Sequence, residues 1–181
     1  MYNDQDLIAL LQDPKKRREG FDKAVRQYSE QLYWQVRRIV LTHEDSDDVL
    51  QNSFLKAWSS LDNFKGESKL ITWLTRIAIN ESLDFVRRKK TRAIMSSDEA
   101  DSGIANRLTA DDYFDGDEVE AQLQEAIAKL PDTQRTVFLL RYYDEMKYSE
   151  ISQILGTTEG GLKASYHFAV KKITDFFRRH D

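Results

Sequence analysis

Two groups of side chains in this sequence have the types and spacing for chemistry, and that chemistry is recognition rather than catalysis. Gly160, Lys163, Ala164, His167 and Lys171 recur at steps of three and four residues, so a helix would gather them on one face. Small residues among bases let a backbone come close to a polyanion and neutralise it. Trp73, Arg76, Asn80, Leu83, Arg87 and Lys90 form a second set, sharing one side of a helix at about 100° per residue. A ring that stacks, an amide that reads base edges and cations for phosphates suit a single nucleic-acid strand. The run Arg87-Arg88-Lys89-Lys90 fits equally well the ordinary preference of bases for a helix C-terminus.

The elements that must position the first set lie in Tyr148 to Phe177. Ser149 starts a short helix with Ile151, Ile154 and Leu155 as its apolar face, and Gly156 ends it. Thr157 or Thr158 caps the next helix, and Glu159 suits its dipole. Leu162, Tyr166, Ala169, Ile173 and Phe176 make a buried stripe opposite the basic face. This is either a helix-turn-helix that enters a major groove or an ordinary helical hairpin. Upstream, Asp117 to Leu130 reads as a helix with Val119, Leu123, Ile127 and Leu130 apolar, and Pro131 opens another that runs to about Asp144.

The second set needs a helix from roughly Lys69 to Arg92, with Ile71, Leu74, Ile77, Ala78 and Phe85 inward, preceded by a loop from Asp62 to Ser68. Before that loop, a helix from about Ser46 to Leu61 buries Leu50, Phe54, Ala57 and Leu61. Its other side shows Asp48, Gln51, Asn52, Leu55 and Lys56. Leu55 among polar neighbours is either a solvated leucine or an anchor for a protein contact. Residues 2 to 42 form one or two helices, broken at Asp13-Pro14 and loosened at Gly20.

Composition narrows the class. With 7 Gly and 2 Pro in 181 residues, an all-α chain of two helical domains is expected. There is no cysteine, and His43, His167 and His180 lack metal-ligand spacing. No catalytic constellation, phosphate loop or cofactor motif is present, so neither an enzyme nor a metal or cofactor site is expected. The N-terminus lacks the form of a signal peptide and no apolar run reaches membrane length, which suggests a cytoplasmic protein. The net charge is −4, but residues 96 to 120 carry −8 and the remainder +4. That acidic stretch is poor in large apolar residues and reads as a flexible linker. An acidic strand can also occupy a basic nucleic-acid channel.

These segments together resemble the extracytoplasmic-function class of bacterial RNA polymerase sigma factors. Asp45 to Trp58 is similar to the family's clamp-binding helix, and Phe64 to Asn80 with Leu83-Asp84 and the basic run to its promoter-melting helix. Leu130-Pro-Asp-Thr-Gln-Arg135 and Tyr148 to Ile173 are similar to its −35-reading domain. The resemblance implies region 2 over residues 1–92, an acidic linker over 93–117 and region 4 over 118–181. It implies that Asp48, Gln51, Asn52 and Leu55 dock on the β′ clamp helices of core RNA polymerase. Phe64, Lys65, Gly66 and Glu67 would capture a base flipped from the −10 strand, and Trp73, Arg76, Asn80 and Arg87 would meet the duplex edge and the separated strand. Gly160, Lys163, Ala164, Ser165, His167 and Lys171 would face the −35 major groove. The linker would thread toward the active-site and RNA-exit channels. Core polymerase, including its β subunit, promoter DNA and an anti-sigma factor are the implied partners.

The chain departs from the family pattern at three places. Ser165 and Phe168 stand where arginines are common on the recognition helix, which removes phosphate contacts worth about −0.9 each in the log–log salt slope. An outward Phe168 can touch a thymine methyl or a protein partner. Asn52 stands where a carboxylate is frequent. The competing reading is an autonomous helix-turn-helix regulator that binds duplex DNA as a symmetric dimer.

Overall fold

Asn3 begins the first helix: its side chain accepts the Gln5 N–H at 2.8 Å, satisfying one of the unpaired donors of a helix start. In the computed structural model, which describes residues 1–96 and 117–180, all regular structure among the described residues is helical. The helices are α1 (Asp4–Gln12), α2 (Arg17–Val40), α3 (His43–Ser59), α4 (Leu70–Ser96), α5 (Glu118–Ala128), α6 (Asp132–Tyr142), α7 (Tyr148–Leu155) and α8 (Glu159–His180), with a 3₁₀ turn at Leu61–Asn63. The chain forms two compact units that divide between Phe85 and Val86, inside α4. The expected linker over 93–117 lies mostly outside the described residues. Its first four positions are the end of α4, which extends beyond Arg92 to Ser96. No helix among the described residues is long and apolar enough to cross a membrane.

The first unit closes around Leu7, Leu11, Leu32, Val36, Leu70, Leu74 and Ala78. Gly20 does not loosen α2. It lies buried inside the helix, where a Cβ would stand 2.7 Å from Leu10 Cβ and 3.1 Å from the Leu11 nitrogen. Glycine is thus what lets α1 press against α2. The basic run after Pro14 is tied down by Arg17, which donates to the Leu11 carbonyl at 3.2 Å and pairs with Asp62 at 2.9 Å.

Helix α3 starts three residues earlier than Ser46, because Thr42 caps it through Oγ1 and its carbonyl takes the Ser46 N–H. Its inward stripe is also rotated from the expected one. Val49, Ser53 and Ala57 are buried, while Leu50 and Phe54 pack half-buried at the core's edge. Ser53 tolerates burial because its hydroxyl donates to the Val49 carbonyl at 2.7 Å within its own helix. On α4, Ser82 does the same with Ala78 at 2.7 Å. Thr75, fully buried, instead reaches across to α2 and donates to Gln35 Oε1 at 3.2 Å.

In the second unit Leu130, Val137, Phe138, Leu140, Ile151, Ile154 and Leu162 are buried. Val119, expected inward, is 63% exposed, and Gln124 takes an interior place instead. The Gln124 amide donates to Glu120 and to the Tyr143 hydroxyl, both at 2.8 Å. Pro131 stands as the N-cap of α6. Buried Arg135 donates to the Ala128 carbonyl at 3.3 Å and to Asp132 at 3.0 Å, anchoring the turn between α5 and α6. Burial pulls its guanidinium below the usual arginine range, and Asp132 opposes that shift.

Candidate nucleic-acid interface

The C-terminal helix pair is set by its turn. Gly156 caps α7 in the left-handed region, with φ +66°, and its N–H returns to Ser152. The Ser152 hydroxyl in turn donates to the Thr157 carbonyl at 2.6 Å. At the other end of α7, the Glu150 carboxylate accepts the Lys147 N–H at 2.9 Å. Of the two threonines, Thr158 supplies the α8 cap, accepting the Gly161 N–H at 3.2 Å. Leu162, Ala169 and Ile173 are buried, with Tyr166 and Phe176 half-buried beside them.

The opposite side of α8 is open. Gly160, Lys163, Ala164, His167 and Lys171 are all exposed, and Ser165 is half-buried at the margin. A Cβ on Gly160 would meet nothing within 4 Å. The Lys163 ammonium lies 5.7 Å from the centre of the Tyr148 ring, and the Arg141 guanidinium lies 5.1 Å from the same ring. Cation–π attraction of this kind holds a charge in place while leaving its donors usable. Phe168 is 51% exposed on this helix.

The second surface belongs to the start of α4 and the loop before it. Arg76 and Asn80 are exposed, and so is Arg87 further along the helix. Trp73 is half-buried, with its ring centre 5.0 Å from that of Phe64 at a tilt of 38°. Phe64, expected in the base-capturing set, has its side chain in the core at 7% exposure. It supports Trp73 from below, leaving Lys65, Gly66 and Glu67 as the exposed members of that set. A lone phenylalanine in a polar loop gave no periodic signal of burial. Gly66 has φ +74°, and a Cβ there would lie 3.3 Å from Gln12 Nε2 and 3.4 Å from Ile8 Cγ2. The loop is therefore laid on α1. Helix α1 also supplies the cap of α4: Asp4 accepts the Leu70 N–H at 3.3 Å and is steadied by the Tyr28 hydroxyl at 3.3 Å. Sequence reasoning missed Asp4, because nothing local links it to a helix 66 residues away.

A third exposed set lies on α3, where Asp48, Gln51, Asn52 and Leu55 project outward and Leu55 is 61% exposed. Beside it runs a groove of about 370 Å³ between α2 and α3, with Val25, Leu50 and Phe54 among its apolar lining and Asp47 and Asp48 among its polar lining. An apolar floor with carboxylates suits a long basic side chain, which buries its stem and pairs its head.

Two family descriptions match the chain on these elements: "Sigma-70 region 2" over residues 24–92 and "Sigma-70, region 4" over residues 120–173. The ECF RNA polymerase sigma factor SigW of Bacillus subtilis is 31% identical over 166 residues, covering 87% of this chain and 89% of its own. The RNA polymerase sigma-H factor of Pseudomonas aeruginosa is 30% identical over 89% of this chain and 86% of its own. The chain belongs to the extracytoplasmic-function RNA polymerase sigma factors of the sigma-70 family, which serve in transcription initiation. Among solved structures, CnrH in complex with the cytosolic domain of CnrY has a similar fold, with a TM-score of 0.71, 22% identity and coverage of 98% and 99% of the two chains. The sigma factor RpoE from Bartonella quintana, solved with the anti-sigma factor NepR, gives a TM-score of 0.66 at 20% identity over 87% and 96%.

Proposed function

We propose that the chain binds core RNA polymerase and directs it to promoters that carry matched −35 and −10 elements. Helix α8 reads the −35 major groove with Gly160, Lys163, Ala164, Ser165, His167 and Lys171. The loop Lys65–Glu67 and the α4 residues Trp73, Arg76, Asn80 and Arg87 engage the −10 element and hold its separated strand. Extruding a base costs a few kcal/mol, and a loop already seated on α1 need not be ordered at that moment. Asp48, Gln51, Asn52 and Leu55 dock on the β′ clamp helices. Bond formation belongs to the polymerase, which places the factor in the cytoplasm with its partner. A protein inhibitor comparable to those bound to CnrH and RpoE is the expected regulator.

The observation that carries this reading is the partition of α8. Its apolar stripe is inside, while five of the six candidate groove residues are exposed. The test is selection from a randomised promoter library with core polymerase present and absent. Sequence-specific enrichment only in the presence of core is expected. Tight, specific duplex binding by the chain alone would overturn the proposal in favour of an autonomous dimeric regulator.

A further inference from the structure

Phe168 is an exposed aromatic residue on α8 that the proposed roles leave unused. Its side chain is 51% exposed near the middle of α8. One turn before it stand Ala164 and Ser165, and a further turn back Gly161. One turn after it stand Lys171 and Lys172, both exposed. The ring is therefore the large apolar group on its strip of the helix, with small residues on one side and cations on the other. His167 flanks it edge-on, ring centres 5.9 Å apart.

An anchor for a protein partner would normally sit among other apolar side chains that exclude water. Here the surroundings suit a phosphate-lined groove instead. Small residues let the helix backbone come close, two lysines neutralise the strands, and the apolar ring stands at the flank of the face formed by Gly160, Ala164, His167 and Lys171, where it meets the edge of a base pair. The apolar group that a base pair offers in the major groove is the thymine C5-methyl.

We propose that Phe168 is a specificity-determining residue that recognises a thymine methyl within the −35 element. The contact rests on the α8 reading above and adds a base preference to it. Burying one methyl against the ring predicts about a fourfold gain in affinity over a base that lacks it.

The full chain, assembled with core polymerase, is used to select a −35 duplex from a randomised library. Each thymine of the selected duplex is then replaced singly by deoxyuridine, which removes the methyl and nothing else. Wild-type holoenzyme should lose about fourfold in affinity at one of these thymines. Phe168→Ala should bind the thymine duplex more weakly and no longer distinguish the two bases there. Wild type indifferent to every replacement, or Phe168→Ala keeping the same thymine-to-uracil ratio, overturns the inference and leaves the −35 reading intact. Loss of core-polymerase affinity in Phe168→Ala without any methyl preference also overturns it, in favour of a protein contact. Absence of any enriched −35 duplex removes the α8 reading and this inference together.

Discussion

Substituting alanine for glycine at Gly20 and at Gly160 should have opposite effects. An alanine Cβ at Gly20 would stand 2.7 Å from Leu10 Cβ, 3.1 Å from the Leu11 nitrogen and 3.2 Å from the Leu10 carbonyl carbon. Two of those three atoms are backbone, so no side-chain rotation relieves the clash and α1 itself must retreat. Overpacking of this kind costs about 1–3 kcal/mol. Removing glycine from a helix returns about 0.4–1 kcal/mol through the unfolded chain. The net expectation for Gly20→Ala is a loss of about 1–2 kcal/mol, or roughly 5–10 °C in the melting of the first unit. At Gly160 a Cβ meets nothing within 4 Å, so only the favourable part remains and stability should rise by about 0.5 kcal/mol. Thermal unfolding measures both, and hydrogen exchange locates the first effect. Protection should fall at the α1 amides and at Leu70, whose N–H bonds to Asp4. Because the Lys65–Glu67 loop rests on Ile8 and Gln12, Gly20→Ala should also impair open-complex formation before it unfolds the protein. A Gly20→Ala chain as stable as the parent, with unchanged α1 exchange, would refute the close-approach account.

Leu162→Ala should destabilise the second unit by about 2–5 kcal/mol, since this leucine is fully buried. Denaturant unfolding of the full chain checks it, and a change below 1 kcal/mol would mean the α8 stripe is not core. Leu55→Asp should lower affinity for core polymerase at least tenfold while leaving the melting temperature within about 4 °C, because the side chain is 61% exposed. Core-binding titration and calorimetry read the two quantities separately. The double variant Lys163→Gln, Lys171→Gln should make the log–log salt slope of −35 duplex binding by holoenzyme shallower by about 1.8, at about 0.9 per phosphate contact. An unchanged slope would show that neither lysine meets a phosphate.

The helix-turn-helix was largely legible because Gly156, the threonines after it and the Leu162–Ala169–Ile173 spacing all point the same way. Local and tertiary preferences agree there. The misreadings share a cause: apolar periodicity counts hydrocarbon, whereas packing also counts size. Ser53 and Ser82 are buried because each hydroxyl is satisfied by its own helix, and small side chains let neighbouring helices come close. Gly20, read as a weak point, is a contact surface. Val119 and Gln124 exchanged their expected environments, since Gln124 finds two partners for its amide in the interior. At the candidate nucleic-acid surface, the exposed residues of α4 and α8 followed from helical geometry alone. Phe64 and Asp4 did not: a lone phenylalanine in a polar loop carries no periodicity, and Asp4 acts through Leu70, distant in sequence.

The buried pair Gln35–Thr75 has a consequence for where the exposed side chains of α4 stand. Both groups are shut away from solvent, at 2% and 0% exposure, and the bond from the Thr75 hydroxyl to Gln35 Oε1 forms only at one axial setting of α4 against α2. A slip of one helical turn, about 5 Å, would strand the Gln35 carbonyl in hydrocarbon at a cost of about 1–3 kcal/mol, while the Thr75 hydroxyl would turn back to its own helix. Arg76 is the very next residue, and Asn80 lies little more than a turn further on. A polar contact that no ligand reaches thus sets where these two side chains stand; if they meet a strand as proposed, a substitution deep inside the protein that leaves every exposed residue untouched would blur what they read.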